Sequence, residues 1–109
     1  MHEFPEVQAM VRSACAAAPG KKIRRLTIAI GEASGHNPRH IQEHFLEASR
    51  ATMAEGAELR FVAESLAARC ANCGREFVTA ERTFTCANCG GVELDIVAGR
   101  DVRLVKVDV

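Results

Sequence analysis

The 109-residue sequence contains no tryptophan and no tyrosine, and only five phenylalanines. Proteins that grip single-stranded nucleic acid stack the bases on aromatic rings, so the platforms for that function are missing. An excess of charge is missing too: fourteen Lys plus Arg are matched by fourteen Asp plus Glu. Without a positive surplus there is little to release counterions from a phosphate backbone or to hold an anionic bilayer. No apolar run approaches the roughly 20 residues of a membrane span. The opening residues Met-His-Glu-Phe-Pro-Glu carry neither the basic start nor the apolar stretch of a secretory signal. No nucleic-acid partner, no membrane partner and a cytoplasmic location are therefore expected. Low-complexity tracts are absent, and the one internal repeat is a duplicated Cys-Ala-Asn-Cys-Gly. What is present is an ordinary globular balance, 48% apolar and 26% charged, in a length that suits one core with at most a small satellite.

Hydrophobic periodicity places the regular elements. Val7, Met10, Val11, Ala14, Cys15 and Ala18 fall on one face of a helix over residues 5–18, with Pro5 at its start and Gly20 beyond its end. Cys15 on that face reads as a small buried core residue rather than a nucleophile. Leu26, Ile28 and Ile30 alternate with Thr27 and Ala29, the pattern of a half-buried strand over residues 23–30. Asn37 followed by Pro38 is a cap and a first-turn proline, and Ile41, Phe45, Ala48 and Thr52 extend a second amphipathic helix to about Met53. After Gly56, Leu59, Phe61 and Ala63 alternate in a strand over residues 58–64. Residues 102–109 are β-branched, with the alternation slipping near Leu104 and Val105 as at a bulge, and are expected to return to the first sheet.

Between these, residues 66–98 hold few large apolar side chains, too few to fold without help. They do hold four of the five cysteines, as Cys70-Ala71-Asn72-Cys73-Gly74 and Cys86-Ala87-Asn88-Cys89-Gly90. Two Cys-x-x-Cys pairs in a reducing compartment point to metal rather than disulfides. A two-residue gap lets both sulfurs reach one ion, and the following glycine accepts the tight turn. The linker over residues 75–85 suits a hairpin, so a zinc ribbon is expected. A redox dithiol is the rival, but duplicated pairs flanking a hairpin fit the ribbon better. Four thiolates fill a tetrahedral ion and leave no open position for water or substrate, so the zinc is structural. In this segment Arg69, Arg75 and Arg82 face Glu76, Glu81, Glu93 and Asp95, a net acidic balance that disfavours a nucleic-acid ribbon.

The start of the chain offers a second metal site. A free Met1 amine, the backbone nitrogen of His2 and its imidazole can close adjacent small chelate rings, and planar nitrogen donors suit Ni²⁺ or Cu²⁺. Glu3 could add its backbone nitrogen or carboxylate. Without a zinc ribbon in the same chain, His2 would read as an ordinary exposed residue.

The combination resembles the HypA/HybF family of nickel metallochaperones for [NiFe]-hydrogenase maturation, nearly end to end. Met1-His2-Glu3 is similar to the family's start, Ile30-Gly31-Glu32 with Ser34-Gly35 to its post-strand turn, and Gly56-Ala57-Glu58-Leu59 to the entry of its next strand. The two knuckles and the return strand follow in family order, whereas Phe4-Pro5 and His36-Asn37 depart from its usual residues. The resemblance implies Ni(II) as cargo on His2, with the Met1 amine and Glu3 in support, and structural Zn(II) on Cys70, Cys73, Cys86 and Cys89. It implies an α/β fold in which two helices pack on a small sheet and a four-cysteine zinc ribbon is inserted before the last strand. Residues 1–65 plus 99–109 would form the nickel domain, and residues 66–98 the ribbon. The implied partners are a nickel-handling GTPase and the hydrogenase large subunit, with the chaperone a monomer or weak homodimer.

The sequence admits two other readings. A zinc-ribbon adaptor would bind proteins through the ribbon, leave His2 idle and hold zinc alone. A metal-dependent hydrolase would use His40 and His44, which with Glu47 share one side of the second helix, and His36 stands just before it. A solvated helix flank accounts for those residues more simply, and no serine or cysteine comes with a base that would make it a nucleophile.

Overall fold

The structure is a computed structural model that describes residues 3–78, 85, 86 and 88–109, and only the backbone of Glu3. Among the described residues, two helices and six strands follow in the order α1 (Glu3–Ala17), β1 (Arg25–Gly31), α2 (Pro38–Ala48), β2 (Glu58–Glu64), β3 (Ala67–Cys70), β4 (Glu76–Val78), β5 (Leu94–Ala98) and β6 (Val102–Asp108). The strands form two three-stranded sheets, ordered β2-β1-β6 and β4-β3-β5. The chain divides into two compact units, one of residues 1–30, 36–62 and 103–109, the other of residues 31–35 and 63–102. Among the described residues, no helix is long and apolar enough to cross a membrane.

In the first unit α1 and α2 pack against each other, and Val7, Val11 and Ala14 of α1 are buried with Leu26 and Ile28 of β1 and Ile41 and Phe45 of α2. The i, i+4, i+7 spacing of the α1 residues puts them on one face, as expected. Two positions on that face differ: Met10 and Cys15 are half-buried, because they lie at the margin of the stripe rather than its centre. Helix α1 also starts at Glu3, ahead of Pro5. A proline costs little there, since the first N–H groups of a helix have no intrahelical partner.

Asn37 caps α2 as its side chain accepts from Arg39 N–H at 2.8 Å, with Pro38 in the first turn. The helix stops at Ala48, short of the expected Met53. Ser49 is the C-terminal cap and is buried, and the chain continues in tight turns: the Thr52 hydroxyl donates to the Ser49 carbonyl and accepts from Ala54 N–H. Ala51 takes a positive φ of 62°, which no helix interior accommodates.

Arg24 and Glu58 bond at the start of β1 and β2, and Glu32 and Glu64 at their ends, so this pair is parallel with α2 as its crossover. Strand β6 runs antiparallel to β1, with Arg24 bonded to Asp108 and Gly31 to Asp101. The last strand therefore does rejoin the first sheet. Its alternation breaks where Val105 and Lys106 are both exposed, close to the expected slip. On β1 the expected face of Leu26, Ile28 and Ile30 is interrupted, since Ala29 and Gly31 are buried while Ile30 is only half-buried. Along β2, Ala63 is exposed and does not continue the half-buried face of Leu59 and Phe61.

The second unit is built on β3, which pairs antiparallel with β4 and β5. Two glycines fix how closely its segments approach. A Cβ on Gly31 would lie 2.4 Å from the Gly99 carbonyl group, and one on Gly99, at φ +84°, would lie 2.5 Å from Ser65 O. Only glycine fits either position. Beside them Ala33 N–H donates to Gly99 O, and the Glu32 carboxylate accepts from Leu66 N–H at 3.0 Å. The Gly31-Glu32 pair thus has a structural role within this unit.

Candidate metal centre

Cys70 ends β3 and Cys86 lies 16 residues on, each opening the same turn. Gly74 N–H returns to Cys70 O and Gly90 N–H to Cys86 O, both at 2.8 Å, with the two glycines at φ 77° and 76°. Cys70 N–H is taken by Arg75 O, and Cys86 N–H by Gly91 O. Two copies of one sequence have therefore folded into two copies of one knuckle.

The knuckles face each other, and the four Sγ atoms lie within 4.8 Å of one another. Cys70 and Cys89 sulfurs are 3.6 Å apart, and Cys73 and Cys86 sulfurs 3.7 Å. A tetrahedral ion with Zn–S bonds near 2.3 Å requires sulfur separations of about 3.8 Å, so the cage fits such an ion. Cys70 and Cys86 are buried, and Cys73 and Cys89 are exposed. Among the described residues, no other group of three or more His, Cys, Asp or Glu side chains converges in this way.

Hydrogen bonds and burial shift the cysteines in opposite directions. At Cys73 the Arg75 backbone N–H and then the Asn88 amide stabilise the thiolate and bring its pKa down to about 6. At Cys70 the Cys73 backbone N–H pulls the other way but is outweighed by burial and by the neighbouring sulfurs, and the thiol is pushed up to about 11. Cys86 is lowered, first by Cys89 N–H and then by Asn88 N–H, which lies 3.3 Å from its sulfur. Such donors favour the charged form of a group they bond.

The asparagines of the knuckles, residues 72 and 88, carry no metal-site signal by residue type alone. Asn72 Nδ2 reaches across to Cys89 Sγ and Asn88 Nδ2 to Cys73 Sγ, each at 3.7 Å, and Arg75 donates to Asn88 Oδ1 at 3.2 Å. Each asparagine thus supports the other knuckle's second sulfur, as outer-sphere groups of metal sites do. Their identical place in the two repeats was the available signal.

The N-terminal candidates stand differently: Met1, His2 and the side chain of Glu3 lie outside the described residues, as does most of the ribbon linker, residues 79–84. Nearby in the first unit, His36 Nε2 lies 3.3 Å from Glu6 Oε2, and the His44 ring meets Phe4 edge to face at 5.7 Å. His40 is exposed. His36, His40 and His44 therefore do not converge on one point, and His36 and His44 serve contacts between α1 and the α2 region.

A two-helix α/β unit with a four-thiol cage held by a second sheet is the build of a small metal-handling protein. Comparison with known proteins agrees across the whole chain. Residues 1–109 match the family described as hydrogenase/urease nickel incorporation, metallochaperone, hypA. Hydrogenase maturation factor HypA of Trichormus variabilis is 34% identical over 109 residues, covering 100% of this chain and 96% of the relative. That of Geobacter metallireducens is 32% identical, covering 100% and 99%. The solution structure of the Ni metallochaperone HypA from Helicobacter pylori has the same fold, with a TM-score of 0.78 at 22% identity over 99% of this chain and 97% of that one. This chain belongs to the HypA family, a family of metallochaperones and not of enzymes.

Proposed function

We propose that the protein binds Ni(II) as cargo and delivers it to a nickel enzyme, [NiFe]-hydrogenase first, while Zn(II) on Cys70, Cys73, Cys86 and Cys89 holds the ribbon together. The match of residues 1–109 to a nickel-incorporation family carries this reading. Support for zinc comes from the near-tetrahedral sulfur separations. The nickel ligands are the Met1 amine, His2 and Glu3, a donor set of nitrogens suited to planar Ni(II). On this reading residues 1–65 plus 99–109 are the nickel-binding domain and residues 66–98 the zinc ribbon. The protein works in the cytoplasm and meets a nickel-handling GTPase and the hydrogenase large subunit.

Native mass spectrometry with and without added nickel tests the reading. One zinc per chain is expected in the isolated protein, and one further nickel after addition. His2→Ala, or an N-terminal extension that turns the amine into an amide, should lose the nickel and keep the zinc. A chain that holds zinc alone under all conditions supports the adaptor reading instead. An extended chain with undiminished nickel affinity removes Met1 and His2 from the ligand set.

A further inference from the structure

Helix α1 begins at Glu3, so its first turn contains one of the proposed nickel ligands and directly follows the other two. The first N–H groups of a helix have no intrahelical acceptor, and such ends open more readily than a helix interior. Whether this turn keeps its place therefore depends on what its side chains meet. Phe4, Val7 and Val11 stand at i, i+3 and i+7, so Phe4 continues the buried face of α1 by one turn. Its half-buried ring meets the His44 ring of α2 edge to face, with centroids 5.7 Å apart and an interplanar angle of 62°. Two residues on, Glu6 Oε2 lies 3.3 Å from His36 Nε2, just ahead of α2. Both contacts join the first turn of α1 to the α2 region.

Of the two, the ring contact is the stronger holder. The Glu6 side chain is 51% exposed, so water screens its ion pair. Phe4 and His44 are both half-buried, at a separation where an edge-to-face pair adds to the area it covers. His44 is also rigidly carried, because its neighbours Ile41 and Phe45 on α2 are buried in the core. A chelating segment loses backbone freedom when it closes on a metal. A contact that already holds part of that segment in the free chain reduces this cost and so raises affinity.

We propose that Phe4 and His44 are positioning residues for the cargo site: their contact holds the first turn of α1 against α2, so that the Glu3 backbone is in place before nickel binds. This inference rests on the assignment of nickel to Met1, His2 and Glu3. In this role His44 acts through Phe4 rather than as a ligand.

Nickel titration of the full-length, zinc-loaded chain tests this, followed by the visible absorption of bound Ni(II) and by nickel release to a chelator. His44→Ala should weaken nickel binding about fivefold, mainly through faster release. The absorption spectrum of the bound form should not change, because the ligands are the same. Alanine suits a helix interior, so α2 should still fold. His44→Phe, which gives Phe4 a ring to meet, should recover the parent's affinity. Phe4→Ala should match His44→Ala, and the double variant should bind no more weakly than either alone, since all three lack the same contact. If His44 binds nickel directly, both of its variants lose affinity and alter the spectrum. If its role is merely structural, His44→Ala lowers thermal stability and leaves the nickel dissociation constant where it was. Either result overturns the proposal, as do losses at Phe4 and His44 that simply add. His2→Ala separates this inference from the ligand assignment. Nickel retained by that variant refutes the ligand assignment and the positioning role together, whereas nickel lost with His2 but unaffected by His44→Ala refutes the positioning role alone.

Discussion

At the scale of single residues, the four cysteines look equivalent in sequence and are not equivalent in the fold. Cys73 is exposed and its thiol is lowered to about 6 by the Arg75 N–H and the Asn88 amide, while Cys70 is buried and raised to about 11. The lowered thiol is the readier to ionise, and the thiolate is the nucleophile. Brief alkylation of the zinc-loaded protein, read by peptide mass spectrometry, should modify the exposed Cys73 well before the buried Cys70. Earlier labelling of Cys70 would contradict this difference in burial. Residue type alone located the cysteines. It could not show that Asn72 and Asn88 cross between knuckles, because that depends on how two segments 16 residues apart face each other.

Elements differ in what holds them. Helix α2 has a cap at Asn37, a first-turn proline and a buried pair, Ile41 and Phe45, so its stability is local and core-based. The second sheet has short strands, four residues in β3 and three in β4, and few buried apolar side chains beyond Ala68. A four-thiolate zinc site supplies roughly 10–16 kcal/mol of apparent folding free energy, which is enough to substitute for a core. Cys73→Ser should therefore lose zinc and open residues 66–98 to protease while the helical circular dichroism persists. Unchanged zinc content together with unchanged protease resistance would refute that dependence. Strand β5 had no visible signature in sequence, since Leu94, Ile96 and Ala98 are only half-buried and become a strand by pairing with β3. Helix α2 is shorter than its spacing predicts for a related reason: Thr52 continues the helical spacing, but its hydroxyl is spent on turns around the buried Ser49.

For the whole molecule, the proposed nickel site makes a prediction about pH. Both the α-amine and the His2 imidazole must be deprotonated to donate, and their unperturbed pKa values are about 7.7–8.0 and 6.5. Protonation competes with the metal, so nickel affinity should fall as pH drops from about 8 to about 6, and binding at neutral pH should release protons. Isothermal titration calorimetry in buffers of different ionisation enthalpy measures both quantities. An affinity flat across that window would exclude both groups as ligands.

The order of the two helices and the three strands of the first sheet, the buried face of α1, the bounds of β2, the return of the last strand and the duplicated cysteine knuckles were all legible in the sequence, because each rests on local periodicity or on fixed ligand spacing. Other features depended on atoms far apart in the chain. Gly31 and Gly99 are required as glycines because backbone from another segment fills the place of a Cβ. Cys15 is half-buried because it lies at the edge of its helix stripe, and His36 and His44 are occupied by Glu6 and Phe4 across the helix pair. Local pattern specifies which face of an element is apolar; what that face meets, and how closely, is set only when the tertiary packing brings distant segments together.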